Sequence, residues 1–260
     1  MGRVKAAARN IIFGYIGNLT TQLLGFVLRT IFIQHLGQTL NGVNALYTGI
    51  LSVLSMAELG IGTALNYSLY KPVIHKDYEK IKSYMLLYKK AYRVIGFMVA
   101  GIGLVIVPFL PYLVKQPEGV TLRDLTLYYL IFLFNTVSSY FVAYKYSLVN
   151  AEQKNYIQTN IITVTKMITV TLQIIVILTT GNFYAYLLTA ATVELLQKIF
   201  VSRYLNNMYP YLKEKDIKPL TKEEVGEVVK KTKALVLHKV GDVARLQTDA
   251  MIISGFINVT

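Results

Sequence analysis

The sequence contains no cysteine and little charge, and both shortages narrow what the chain can do. Without cysteine, its 260 residues cannot form a disulfide, a thiolate nucleophile or a cysteine-ligated metal site. The histidines, His35, His75 and His238, lie far apart, and no pair has the spacing of metal ligands on a helix. No nucleophile elbow, phosphate-binding loop or zinc motif occurs, so we expect no enzymatic activity, no metal and no cofactor.

The shortage of charge points to the environment of the protein. Only 16% of the residues are charged, against roughly 25% in soluble domains. Hydrophobic residues make up 54% of the chain, and its mean hydropathy is +0.45. A soluble protein of this composition would have too few polar side chains to cover its surface, whereas a lipid bilayer removes that requirement. The composition therefore predicts an integral membrane protein.

Six apolar runs are each long enough to cross a hydrocarbon core of about 30 Å as a helix. They are Ile11–Ile33, Ala45–Leu69, Tyr92–Val114, Leu125–Val149, Ile157–Thr180 and Phe183–Tyr204. A seventh run begins near Leu235 and is still apolar at Thr260. We predict an all-α integral membrane fold with a six-helix lobe over residues 1–204, a cytoplasmic loop over 205–234 and an incomplete seventh transmembrane helix over 235–260.

The distribution of basic residues predicts the orientation. The formal net charge is +13, and most lysines and arginines lie in the N-terminal arm and after the second, fourth and sixth runs. The loops on the other side hold only Lys115 and Arg123. The positive-inside rule then places the N-terminus in the cytoplasm of a bacterial cell, in a multi-pass plasma-membrane protein. Contact with the lipid bilayer explains the charge better than nucleic-acid binding, so we expect no nucleic-acid partner.

The long loop contains a second kind of helix. Thr221 and Glu224 have capping-box spacing. The positions that follow on one helical face are Val225, Val228, Val229 and Thr232. This pattern favours an amphipathic helix at the cytoplasmic interface, and the alternative is a solvated helical hairpin that packs on nothing.

Charged residues inside the apolar runs are candidate functional groups because a charge in lipid is costly unless it is paired or hydrated. Glu58 lies near the middle of the second run, beside Gly60 and Gly62, which weaken the helix. Its carboxyl group suits binding of a cation or a proton. The alternative is a structural ion pair with Arg29 or Lys166.

Arg29 lies close to the end of the first run, where its side chain either snorkels to the interface or binds an anion in a central cavity. Lys166 is near the centre of the fifth run, so we expect it to face a cavity. Glu194 and Lys198, four residues apart, favour a self-satisfied pair on the sixth helix.

A polar stripe marks the seventh run. Asp242, Arg245 and Asp249 are spaced so that they share one face of a helix. A stripe of this kind on a spanning helix normally faces water or a partner helix, and we expect it to line a cavity.

An ordered set of segments resembles a known family. The segments are Arg29–Gly37, Gly42–Tyr47, Glu58–Ala64, Leu69–Pro72, His238–Gly241 and Thr248–Ser254. Together they resemble the polysaccharide-exporter flippases of the multidrug/oligosaccharidyl-lipid/polysaccharide transporter superfamily, in the form typical of Gram-positive bacteria. The resemblance covers essentially the whole chain.

That resemblance implies a flippase that moves undecaprenyl-pyrophosphate-linked oligosaccharides across the cytoplasmic membrane for polysaccharide biosynthesis, with a coupling cation or proton. It also implies two six-helix lobes around a central cavity. By position, Arg29, Glu58, Arg245 and Asp249 match the substrate-binding cavity residues of helices 1, 2 and 7. Such proteins have twelve or fourteen helices, so the resemblance predicts that this chain is a fragment, the N-terminal half.

Three other functions remain open. A cation-coupled multidrug exporter of the same superfamily would have an acidic or aromatic cavity, whereas the flippase would have a cationic one. A membrane glycan polymerase or ligase would show a large outer loop, and the loops here are short. A non-transporting scaffold would have every charge paired within a packed bundle.

Overall fold

The computed structural model of this protein describes residues 3–55, 58, 61–114, 119–214 and 216–237, with side chains from residue 7 onward. Within these ranges the chain is helical and contains no strand. The helices are α1 (Arg3–Ser55), α2 (Ile61–His75), α3 (Tyr78–Ile106), α4 (Leu110–Leu113), α5 (Leu122–Ala151), α6 (Asn155–Thr180), α7 (Phe183–Met208) and α8 (residues 222–237). Two 3₁₀ turns, Val107–Phe109 and Pro210–Lys213, follow α3 and α7.

The long helices begin and end at residues suited to those positions. Asp77 caps α3 by accepting a hydrogen bond from the Lys80 backbone N–H, and Asn182 caps α7 in the same way. Thr121 and Asp124 form a reciprocal capping box at the start of α5. Gly181 ends α6 in the left-handed conformation, with φ of 56°.

Five helical segments are long and apolar enough to cross a membrane, as judged by length and composition in the described part of the chain. They are Ala7–Ser55, Tyr78–Leu113, Leu122–Ala151, Asn155–Thr180 and Phe183–Met208. The last four contain nearly all of the third to sixth predicted runs. The prediction of a helical protein with several membrane spans is therefore confirmed at this level, and the predicted seventh helix lies outside the described residues.

The predicted second span needs correction. We expected one continuous helix over Ala45–Leu69, but the helix that contains its first part ends at Ser55, and α2 begins only at Ile61. A non-helical Gly37, with φ of 85° and ψ of 164°, divides α1. Glycine has no Cβ and so adopts this positive φ without a steric clash. The expected six separate helices therefore correspond to five segments that meet the length criterion.

Contacts along the bundle show that α1 changes direction at Gly37. Before it, Asn10 donates a hydrogen bond to the Gln153 carbonyl (2.8 Å), between α5 and α6. Further along, Phe32 packs edge-on against Phe183 at the start of α7. After Gly37, Tyr47 donates to the Leu125 carbonyl (3.0 Å) at the start of α5. We name the two ends of the bundle the α5–α6 end and the α6–α7 end.

The chain then returns to the α5–α6 end. Glu58 meets Tyr92 of α3 part-way along the bundle, and Tyr88 donates to the Leu65 carbonyl of α2 (2.9 Å). Near the end of α2, Val73 lines the same cleft as Glu152. The segment after Gly37 and α2 together therefore run opposite to the first part of α1.

Two apolar clusters hold the bundle together. The cluster nearer the α5–α6 end includes Leu69, Tyr88 and Leu148. The cluster nearer the α6–α7 end includes Tyr47 and Ile177. Large apolar side chains also remain exposed along α1, α3, α6 and α7. Such an outward apolar surface is what a bilayer covers, so the chain has the composition and fold of a multi-pass membrane protein.

The amphipathic helix α8 packs on the bundle. The predicted capping box forms, with the Thr221 N–H donating to Glu224 Oε2 (3.0 Å) and the Glu224 N–H donating to Thr221 Oγ1 (3.3 Å). Val228 is buried in the cluster at the α5–α6 end, and Lys80 of α3 forms an ion pair with Glu224. The solvated-hairpin alternative is therefore wrong, although Val229 is 45% exposed and does not share the buried face.

Candidate functional site

Glu58 lies in the interruption between α1 and α2, and its side chain is half-buried. The Tyr92 hydroxyl of α3 donates a hydrogen bond to Glu58 Oε1 at 2.6 Å. A Cβ added at Gly62 would lie 3.0 Å from that hydroxyl, so the small residue leaves room for the contact. The break in the helix thus presents one carboxyl group that is held by a neutral donor.

The predicted alternative for Glu58, a structural ion pair, is wrong. The ion pairs of the described residues join Glu58 to neither Arg29 nor Lys166. A phenol stabilises a carboxylate less than a cation does, and it also stabilises the protonated acid. The site therefore suits reversible binding of a proton or a cation.

Arg29 is exposed on α1, next to the buried Leu28. Neither an ion pair nor a side-chain hydrogen bond joins its guanidinium to another described residue. The cation lies inside an apolar segment and points away from the core of the lobe. No other described residue of the lobe therefore holds its charge.

Lys166 of α6 is half-buried and, within the described part of the chain, also lacks an ion-pair partner. Its helical face is set by Thr159 and Thr163, which would contact a Cβ at Gly17 of α1 at 2.7 Å. Lys166 follows Thr163 by three residues and so continues the same face. Lys166 therefore lies on the helical face that packs towards α1.

The charged group between α5 and α7 is internally satisfied. Lys198 donates to the Asn135 carbonyl (2.8 Å), to Asn135 Oδ1 (2.6 Å) and to Ser138 Oγ (2.9 Å). The amide of Asn135 donates to Glu194 Oε2 (2.6 Å). The predicted direct pair of Glu194 with Lys198 is wrong, because Asn135 sits between the two side chains and bridges them.

Lys145 is another buried cation. It lies within α5 and is 6% exposed. Its ammonium donates to Ser202 Oγ and Asn206 Oδ1, both at 2.8 Å, and to the Ser202 carbonyl at 3.2 Å.

The remaining candidates, Asp242, Arg245 and Asp249, lie outside the described residues. Of the four predicted cavity residues, the structure thus places Arg29 and Glu58. The structure shows no direct contact between these two side chains. Sequence reasoning missed Tyr92, Asn135 and Ser138, since each partners a residue on another helix and no local spacing signals such a contact.

Comparison with known proteins gives one informative likeness. No family model and no curated protein matches the sequence. A solved structure of a MOP superfamily transporter from Pyrococcus furiosus Vc1 (DSM3638) has a similar fold, with a TM-score of 0.69 at 14% sequence identity. The match covers 96% of this chain and 56% of that chain.

This likeness establishes the fold of the chain. Because the identity is only 14%, the likeness shows the fold alone, and both the superfamily and the polysaccharide-exporter family named by the sequence resemblance remain predictions. The chain spans little more than half the length of that transporter.

Proposed function

We propose that this chain is a transporter component that moves an anionic, undecaprenyl-pyrophosphate-linked oligosaccharide across the bacterial cytoplasmic membrane. In this proposal its helices cross the bilayer six times, with the N-terminus in the cytoplasm. The alternation of direction along the bundle and the division of α1 at Gly37 support six crossings. The similarity of fold to a MOP superfamily transporter supports a role in transport.

The observation that carries the proposal is the state of Arg29. Placing an unpaired, unhydrated cation within a membrane span costs about 3 kcal/mol or more in free energy. Arg29 is exposed and has no acidic partner in the part of the chain described. A planar guanidinium binds phosphate through two parallel hydrogen bonds. An anionic substrate passing along α1 would supply the missing partner.

Glu58 supplies a different kind of group to the same process. Its carboxyl, held only by the Tyr92 phenol, suits a coupling proton or cation. With Arg29 it forms the described part of the proposed cavity, to which the family resemblance adds Arg245 and Asp249. Uptake of a proton by Glu58 would leave the cavity more positive, which favours an anionic substrate.

A cation-coupled multidrug exporter is the second candidate. The Glu58–Tyr92 contact favours it, because a carboxyl group beside an aromatic ring suits a cationic drug. A glycan polymerase or ligase has less support: α6 and α7 are joined only by Gly181 and Asn182, and a large outer loop is not present there.

The test measures export of the lipid-linked oligosaccharide. The host strain lacks its own flippase and expresses the full product of the gene that encodes this chain. Arg29→Gln and Glu58→Gln should each lower export about tenfold or more, the loss expected when ~1.4 kcal/mol of substrate or coupling interaction is removed. Arg123→Gln, which removes an exposed arginine from the start of α5, is the matched control and should export normally.

Normal export by both cavity variants, at wild-type expression, would contradict the proposal. Loss of drug resistance in Glu58→Gln, with no change in Arg29→Gln, would favour the multidrug exporter.

A further inference from the structure

A cavity of about 710 Å³ opens at the α5–α6 end of the bundle, between α3, α5, α7 and the segment that follows α7. Neither Arg29 nor Glu58 lines it. The basic side chains in its wall are Lys82, Lys89, Arg93, Lys145 and Lys213, and the one carboxylate among the described lining residues is Glu214. The cavity therefore carries a clear excess of positive charge.

The acidic partners near the cavity are already engaged. Lys82 is 3% exposed and forms ion pairs with Glu214 and Glu79, each at 2.5 Å. Lys145 is almost fully buried, yet its three acceptors are neutral oxygens. Lys89 and Arg93 form no ion pair with a described residue. A buried ammonium without a carboxylate, next to two further cations, leaves a strong field for an anion.

One wall of the cavity is apolar and continues onto the outer surface of the bundle. Phe141 of α5 lines the cavity and is 40% exposed. Its ring packs edge-on against Phe97 of α3, with centroids 6.0 Å apart, and Phe97 is 66% exposed. A polar cavity that opens beside an exposed aromatic pair suits a molecule with an anionic head and an apolar tail.

We propose that this cavity binds the phosphate of an anionic phospholipid, with an acyl chain lying along Phe97 and Phe141. Arg93 and Lys89 contact the phosphate oxygens at the mouth, and Lys145 supplies buried positive charge behind them. Basic pockets between spanning helices bind anionic head groups in this way. The site is built from α3, α5 and α7, so it does not depend on the transport proposal or on its substrate.

Lipid binding by the purified chain in detergent tests the site, measured by native mass spectrometry and by thermal stabilisation. Phosphatidylglycerol is titrated against phosphatidylcholine, and inorganic phosphate is a separate arm. The cavity variant combines Lys89→Gln with Arg93→Gln, which lie at the mouth and leave the buried Lys145 in place. The control combines Lys90→Gln with Lys230→Gln, which removes the same charge from exposed positions outside the cavity.

We expect phosphatidylglycerol to bind more tightly than phosphatidylcholine, and the cavity variant to bind it at least about tenfold more weakly, while the control binds as the unmodified chain does. Phe97→Ala should also weaken lipid binding. Equal affinity for the two lipids, or equal loss in cavity variant and control, would overturn the proposal. Binding of inorganic phosphate as tightly as phosphatidylglycerol would overturn the lipid as the source of the anion.

Discussion

The cations of α5 and α7 differ from those of α1 and α6 in how they are accommodated. Lys145 and Lys198 are buried, and each donates three hydrogen bonds to fixed oxygens of the bundle. Arg29 and Lys166 are exposed or half-buried, and neither has an ion-pair partner in the residues that the structure describes. The bundle therefore supplies hydrogen-bond acceptors to the lysines of α5 and α7, whereas it supplies no ion-pair partner from the described residues to the cations of α1 and α6.

This difference separates two roles for a charge inside a membrane span. A lysine whose donors are all satisfied contributes to stability, and its removal leaves polar partners without a donor. An exposed arginine contributes little to the fold, and its cost is met by water or by a bound anion. The comparison thus favours structural roles for Lys198 and its partners, and it supports the ligand-binding role that we propose for Arg29.

The largest expected effect is on stability, from loss of Lys198. Lys198→Met should lower the free energy of unfolding by about 2–3 kcal/mol, because Asn135 and Ser138 lose their donor and Glu194 loses a nearby cation. Thermal unfolding in detergent measures the change. Arg29→Gln is the control and should alter stability by less than ~0.5 kcal/mol. Equal destabilisation by the two substitutions would remove the distinction between the two sides of the bundle.

A bulky residue at Gly17 should have a smaller effect on stability. It tests the contact between α1 and α6, on the side of the bundle that holds Arg29 and Lys166. A Cβ there would lie 2.7 Å from Thr159 Cγ2 and Thr163 Oγ1, so Gly17→Leu forces the helices apart. We expect a loss of about 1–3 kcal/mol, typical of overpacking. Gly14→Leu places the same side chain where no atom lies within 4 Å. It should leave the melting temperature close to that of the parent, and a similar drop in both variants would refute close packing at Gly17.

How far the sequence predicts this structure depends on the range of each interaction. The bounds of α5, α6 and α7 follow from local apolar runs and caps, and the capping box of α8 follows from Thr221 and Glu224. The continuous second span was wrong, because α1 ends at Ser55 and α2 begins at Ile61, and composition does not reveal a break around Glu58.

The candidate site is less predictable than the helices. Glu58 stands out in the sequence because it interrupts an apolar run, but its partner Tyr92 lies 34 positions away on another helix. Asn135 bridges Glu194 and Lys198 from a third position that no spacing rule connects to them. Apolar runs indicate which charges lie inside the spans, whereas only packing between helices decides which of them are buried and what satisfies them.

The smallest expected effect concerns α8 and depends on pH. The hydrogen bond from Lys80 holds the pKa of Glu224 below its ordinary value of 4.5. A carboxyl group whose pKa is lowered by folding stabilises the folded state at pH values above its unfolded pKa. That contribution is lost as the pH falls through the pKa of the folded state. Hydrogen exchange of residues 222–237 should therefore quicken between about pH 5 and pH 3 relative to α5. Glu224→Gln should abolish this pH dependence, and an unchanged profile in that variant would exclude Glu224 as its origin.

The most direct test of the account is the water accessibility of Arg29. The chain has no cysteine, so each single substitution introduces one thiol for labelling in membrane vesicles by a charged, membrane-impermeant reagent. Arg29→Cys should react with the reagent from at least one side of the membrane. Val201→Cys, fully buried in α7, and Phe97→Cys, on the exposed apolar surface of α3, should not react. Failure of Arg29→Cys to react from either side would contradict the claim that this cation faces water rather than lipid.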